Sequence, residues 1–562
     1  MDYRSLQDTA LSRGSQEHQD GAAGAGSCRQ LHGIDGLDFH SRWRTTQLRP
    51  AVFSLVNTVV GGGTLSLAYS FAKAGSVVGI LVLALICVAT DFSLFAMVSA
   101  SRRTGQKSYE GVMKAAFGTP VQVATILFVF SICFLTPVAY LILLRGLLVP
   151  LVEAYFTHGQ PISFLAKQLL MCAFAIALSP LTATSLGAIG SLAVFSMAAI
   201  VVLALVLAFR SYQCLYTNGI PSPSLLPSLP PSLPSLLSAL PVFVAAFLCH
   251  FNLLPVFGEL HRPTRERAHA LVHFTMGATY VLYALVGLSG WAYAVCRAEE
   301  EGDGADTSVP DNILLAFPPD DPLVNVARAA LVVVLSFCFP LLLIPCRDSL
   351  LRLVWVWRTE MGRKGGRGRE EAGLGAHLLG HRDGPEGEDG AGRRVGQKVG
   401  EEKVAYEEEG GVEETPAEFA ASFSSTLPSS SSSSSSSHSS PPRSSPPPNH
   451  LPPSLPPTLP PAIPPAIPTN ATHRLPLLLL TYLLLLPILF LAIRVDSVAS
   501  IWAVLGSFAC FTISFVLPPL AYLRVGCREQ RVKRAWAWCV CVGGSILTLL
   551  CGINTVGELL KS

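Results

Sequence analysis

The chain has 562 residues; half are hydrophobic, 14% carry a charge and the formal net charge is +2. Soluble domains carry about 25% charged residues, so a deficit concentrated in long apolar runs excludes a soluble domain and marks a polytopic membrane protein. So small a net charge is no argument for nucleic acid, which is not expected as a partner. The 14 cysteines show no repeated CxxC pair and no zinc-finger spacing. Cys539 and Cys541, the one close pair, lie in an apolar run, where packing is the simpler reading.

In chain order, residues 1–49 are polar and lack the apolar core of a signal peptide. They are read as a disordered cytoplasmic tail, with targeting left to the first membrane segment. Residues 50–357 then hold eight apolar segments, at 50–71, 76–99, 122–149, 165–181, 187–209, 237–257, 271–295 and 323–345. Residues 358–473 form a low-complexity loop: Gly/Arg/Glu-rich, then a serine run, then repeated Pro-Pro. Such a composition builds no core and reads as disordered. Residues 474–562 hold segments 9 to 11, at 475–493, 498–522 and 535–553. Most segments meet the roughly 20 apolar residues that a bilayer demands; the fourth is the shortest. The recurring Pro-Ser-Leu units of 221–241 show no evident packing role.

Loop charges orient the bundle, because Lys and Arg favour the cytoplasmic side. Arg102, Arg103, Lys107 and Lys114 follow segment 2; Arg262, Arg265 and Arg267, with His261 and His269, follow segment 6; Arg524, Arg528, Arg531, Lys533 and Arg534 follow segment 10. With eleven spans all three clusters fall on one side. The acidic loop after segment 7, from Glu299 to Asp311, falls on the other. A cytoplasmic N-terminus results, and it requires the short segment 4 to span. Asn470-Ala471-Thr472 is a formal glycosylation acceptor on the cytoplasmic side and is expected to be unused.

Segment 1 carries Asn57-Thr58-Val59-Val60-Gly61-Gly62-Gly63-Thr64. Each glycine weakens a helix by about 1 kcal/mol relative to alanine, and an amide is out of place in hydrocarbon. The pattern predicts a broken helix whose backbone and Asn57 bind something polar. Segment 6 repeats the logic in Cys249-His250-Phe251-Asn252 and Pro255. If segments 1–5 and 6–10 are halves of an inverted repeat, segments 1 and 6 correspond, and paired interruptions at matching positions point to a transport site. Gly61, Gly62, Gly63, Thr64, His250 and Asn252 are therefore the candidate substrate-binding residues; alone, His250 would read as a packed helix residue. Ser336 in segment 8 offers an oxygen to a monovalent cation alongside Asn57, or bonds back to its own helix. Asp91, inside segment 2, either carries a coupling proton or pairs with a buried polar group. Arg145 reads as a snorkelling end of segment 3. No P-loop, catalytic triad or selectivity loop is present, which argues against an enzyme, direct ATP drive or a channel.

Asn57 through the glycines to Leu65-Ser66-Leu67-Ala68-Tyr69 resembles the first-helix signature of the amino acid/auxin permease superfamily, closest to its sodium-coupled neutral amino acid transporter branch. Cys249 to Asn252 with Pro255 to Leu260 and Pro263-Thr264 resembles the sixth-helix motif, and Phe339-Pro340 to Pro345-Cys346-Arg347 the end of the eighth helix. The resemblance covers 47–357 and 474–552. It implies an all-α, LeuT-like fold of two inverted five-helix repeats plus one extra helix, and secondary active transport of amino acids, neutral ones above all. The Gly61–Gly63 backbone would receive the substrate carboxylate, and segment 6 carbonyls its amino group. Asn57 and Ser336 would hold Na+. The family commonly has threonine at the latter position, so Na+ and H+ both stay open as coupling ion. No other cofactor is implied. The plasma membrane and a vacuolar or lysosomal membrane are both open as addresses. A membrane amino acid sensor on the same fold, with little flux, is the alternative function.

Overall fold

The computed structural model describes residues 46–183, 192–219, 227–301, 309–379, 471–526 and 530–561. Residues 1–45, 221–226, 380–470 and with them Asn470 lie outside the described residues. The membrane unit comprises residues 1–367 and 468–562; of a second unit, 368–467, the described part is helical.

Apolar runs with no water to satisfy their backbone must close their hydrogen bonds internally, and the described residues are almost wholly helical. Span 1 is α1 (Leu48–Val59) and α2 (Leu67–Ala74), bent by 52°. Span 2 is α3 (Ser76–Thr104); Arg102 and Arg103 complement the dipole of its last turn, and Gly105 caps it at φ +69. The short α4 (Tyr109–Phe117) follows, its first turn capped by Ser108 Oγ, which accepts from Gly111 N–H. Spans 3, 4 and 5 are α5 (Thr119–Tyr155), α6 (Phe164–Leu178) and α7 (Leu192–Asn218). Span 6 is α8 (Leu233–Ala246) and α9 (His250–Glu259). Spans 7, 8 and 9 are α10 (Arg265–Glu301), α11 (Pro322–Leu379) and α12 (Ala471–Arg494). Span 10 runs through α13 (Val498–Leu505), two π-helical turns and α14 (Leu517–Val525), and span 11 is α15 (Arg531–Leu559).

Among the described residues, ten helices are long and apolar enough to cross a membrane, and the bent pair makes eleven. The fourth, Phe164–Thr182, has 19 residues and qualifies. Spans 3, 6 and 10 form the interior, whereas spans 4, 9 and 11 are peripheral: 72% of an 18-residue apolar stretch of span 6 is buried against 22% of that of span 4. Interrupted spans five places apart, packed together at the centre, are the architecture expected of an inverted repeat. Span 10 approaches α8 so closely that a β-carbon on Gly506 would lie 2.2 Å from Pro241 O. The π-turns on either side of Phe511 adjust the helix at that contact.

The stretch 221–241 corrects an expectation, because its described part does pack. Pro227 O and Ser228 O accept from Ser76, Val77 and Val78 N–H, capping α3 with backbone. Ser232 caps α8, and Pro234 sits in its first turn, where a missing N–H is harmless. Span 6 therefore starts at Leu233 rather than 237.

Backbone laces the entry of span 1 to the exit of span 6: Thr46 N–H donates to Glu259 O, and His261 N–H to Thr46 O. At the other end of the bundle a disulfide joins Cys214 near the end of α7 to Cys296 near the end of α10. Close by, the buried Arg328 gathers the loop before α11, donating to Leu314 O (2.8 Å), Phe317 O (2.9 Å), Pro318 O (3.1 Å) and Asn325 Oδ1 (2.7 Å).

Candidate functional site

α1 stops at Val59. Val60 and Gly61 are extended, Gly62–Ser66 form a 3-10 turn, and α2 resumes at Leu67. α8 stops at Ala246, and α9 starts after Phe247–Cys249. The two breaks meet. The hydroxyl of Tyr283, buried on α10, lies 2.8 Å from Val59 O and 2.8 Å from Ala246 O. A phenol has one proton to donate, so two carbonyls from two helix ends converge on a single donor. The Tyr283 ring is held edge-on by Phe247, with centroids 5.2 Å apart.

α5 closes the third side. Gly62 N–H donates to the Tyr140 hydroxyl at 3.4 Å. A β-carbon on Gly61 would lie 2.7 Å from that oxygen; one on Gly62 would lie 2.7 Å from Tyr140 Cε1 and 2.8 Å from Leu143 Cδ1. Glycine is needed here for close approach, not for an unusual φ. Gly63 is different, since its β-carbon would meet Ala246 Cα at an ordinary 3.5 Å. Thr64 is buried in the turn. Asn57 Oδ1, one turn before the break, and Ser66 Oγ, just after it, are buried without a hydrogen-bond partner.

The other expected residues fall in different places. Asn252 is half-buried on α9, its N–H donating to Cys249 O. His250 is fully buried and turned towards spans 2 and 10: Nε2 lies 3.2 Å from Ser93 Oγ, and Nδ1 3.2 Å from Ser514 Oγ. Ser93 Oγ already donates to Ser514 O. It must therefore accept from Nε2–H. Ser514 Oγ is the partner of Nδ1, so both ring nitrogens are engaged by protein. Ser336 Oγ donates to Val332 O within α11, leaving its lone pairs uncommitted. Asp91 does not join the breaks; its Oδ1 pairs with His273 Nδ1 of α10 at 2.6 Å. Arg145, expected to snorkel, pairs instead with Asp496 at 3.2 Å.

Sequence reasoning missed Tyr140 and Tyr283, the residues that join the breaks to their neighbours. A tyrosine in an apolar run reads as core packing. The one available signal was that a buried hydroxyl needs a partner.

A family model described as transmembrane amino acid transporter protein matches residues 44–555. The chain belongs to that family. The amino acid/auxin permease resemblance is thereby shown, and the family is one of transporters, not enzymes. Among curated proteins, the chain is 24% identical over 262 residues to "Putative sodium-coupled neutral amino acid transporter 11" of Danio rerio. That match covers 46% of this chain and 57% of the relative, so the chain spans little more than half the length of the curated relative it matches. Among solved structures, MhsT in complex with L-phenylalanine is similar at a TM-score of 0.47 and 11% identity, covering 92% of this chain and 99% of that one. A Na+-coupled sialic acid symporter in a substrate-bound outward-open state follows at 0.39 and 10% identity, covering 58% and 69%.

Proposed function

We propose that the transporter moves neutral amino acids across its membrane by secondary active transport, with the substrate held where spans 1 and 6 break. The observation that carries this reading is the convergence of Val59 O and Ala246 O on one hydroxyl, beside Gly61–Gly63. Carbonyls released by unwinding suit an ammonium group, and N–H groups of the glycine turn suit a carboxylate. The surroundings favour a neutral substrate side chain. Among the described residues, the charged side chains in the buried class are Arg328 and Arg347, both on α11. A charged substrate side chain at the breaks would lack a counter-charge.

Sodium is the favoured coupling ion. Asn57 Oδ1 is an orphaned buried acceptor at the break, and Ser336 keeps lone pairs free. Those oxygens fit a hard cation; the name of the Danio rerio relative points the same way. A proton-coupled cycle is the competing reading. Asp91, paired with His273 away from the breaks, lends it little support.

The N-terminus is assigned to the cytoplasm. Basic loops at the Thr46 end support this, as does the disulfide at the opposite end, since disulfides persist in oxidising compartments. The membrane is the plasma membrane or a vacuolar or lysosomal one. The test is uptake of a labelled amino acid panel into proteoliposomes under separate sodium and proton gradients. Uptake of neutral amino acids driven by sodium and lost in choline supports the proposal. Saturable binding without uptake would favour the sensor instead.

A further inference from the structure

Outside the breaks, an open cavity of about 520 Å³ lies between α3, α10 and α15, backed by Phe511 and Phe515 of span 10. Its walls are apolar over most of their length, including Val82, Leu85 and Ala89 of α3 and Val540 and Leu547 of α15. Leu85 and Val88 are exposed, so the groove opens on the lipid-facing side of the bundle. Two helix glycines form its α15 wall. Gly544 allows close packing on Phe515, whose Cβ would lie 2.7 Å from an added β-carbon. Gly543 faces open space, with nothing within 4 Å.

One end of the groove is cationic. Phe95 carries three groups: the His269 ring stacks on it at 4.2 Å, Lys533 Nζ lies 4.8 Å from its centroid and Arg265 Cζ 5.8 Å. Among the described residues no carboxylate pairs with Lys533 or Arg265. The one acid lining the groove is Asp91, and its Oδ1 is taken by His273. The His273 side chain is itself 60% exposed, a polar group on a lipid-facing wall. Helix rise puts His273 about 12 Å beyond Arg265, and Leu547 about 21 Å beyond Lys533. That length exceeds the ~15 Å of one leaflet's hydrocarbon.

We propose that this groove binds an anionic glycerophospholipid from the leaflet on the side where α1 enters. Its phosphate lies against Lys533 and Arg265, its glycerol region reaches the imidazole edge of His273, and one acyl chain runs along Gly543 to Leu547. Charge complementarity selects the occupant: a zwitterionic headgroup cancels its own phosphate charge, whereas an anionic one keeps a net negative charge beside the two unpaired cations. Headgroup attraction is worth about fivefold per basic residue, so the pair gives roughly thirtyfold preference for an anionic lipid.

The test is lipid retention by native mass spectrometry of the full chain, extracted from vesicles of equimolar phosphatidylcholine and phosphatidylserine. Wild type is expected to retain phosphatidylserine selectively. Arg265→Gln/Lys533→Gln should lose that preference about thirtyfold while still retaining phosphatidylcholine. Gly543→Leu, which fills the groove without meeting protein atoms at its β-carbon, should lose both lipids while keeping the wild-type melting temperature. Equal retention of the two lipids by wild type, preference unchanged in the charge variant, or phosphatidylserine retained in Gly543→Leu would each overturn the proposal.

Discussion

Gly62 and Gly63 are neighbours in one glycine run, yet they answer differently to the same added methyl group. At Gly62 the new carbon would lie 2.7 Å from Tyr140 Cε1 and 2.8 Å from Leu143 Cδ1. Both belong to α5, one of the most buried spans. Relief to an ordinary contact needs shifts of about 0.7 Å in close-packed side chains, and overpacking of that kind costs about 1–3 kcal/mol. Placed on the state that holds substrate, this lowers uptake by about 5- to 150-fold. At Gly63 the nearest atom is Ala246 Cα at 3.5 Å. Only the smaller backbone effect of Gly→Ala applies there, about 0.4–1 kcal/mol, and uptake stays within about fivefold of wild type. The assay is initial-rate uptake in proteoliposomes, normalised to folded protein by size-exclusion profile. Gly62→Ala at wild-type rate, or Gly63→Ala impaired more than Gly62→Ala, would refute the packing of the break on α5.

Three further outcomes follow from the same geometry. Tyr283→Phe removes the donor shared by Val59 O and Ala246 O and should lower stability by about 1–3 kcal/mol, read as a fall in melting temperature together with a raised KM; unchanged KM would detach Tyr283 from the site. Arg328→Ala removes three hydrogen bonds to carbonyls of the loop before α11 and a fourth to Asn325 on α11 itself. It should cost at least ~3 kcal/mol and open residues 309–321 to protease, whereas an intact loop would contradict its anchoring role. Denatured protein should take up two more thiol-reactive mass tags after reduction, from Cys214 and Cys296; Cys296→Ser should abolish that difference, and persistence of the difference would place the disulfide elsewhere.

The spans were legible because the bilayer imposes a crude rule: about twenty apolar residues, whatever their order. The breaks were legible for the opposite reason, since Gly61–Gly63 and the His250-Asn252-Pro255 cluster defy what hydrocarbon favours. Pairing between distant spans was not legible. Asp91 meets His273, and His250 meets Ser93 and Ser514, through helix rotations set by packing partners that one sequence does not display. Tyr140 and Tyr283 were hidden for a related reason, because an apolar ring suits a buried helix whether or not its hydroxyl has a task. The 221–241 stretch misled through composition: repetitive Pro-Ser-Leu suggested a featureless linker, yet Pro227 and Ser228 supply carbonyls where α3 lacks acceptors.

The central claim, that the two breaks form the site of a gradient-driven amino acid transporter, is tested most directly by accumulation at a set membrane potential. Proteoliposomes carrying the full chain would be held at about 100 mV, inside negative, with equal sodium on both sides. One charge moving with each substrate is worth ~2.3 kcal/mol, or roughly fiftyfold accumulation of a neutral amino acid at equilibrium. Accumulation approaching that ratio, and collapsing when the potential is dissipated, is the expected result. Equilibration to equal concentrations at every potential and ion gradient would contradict it.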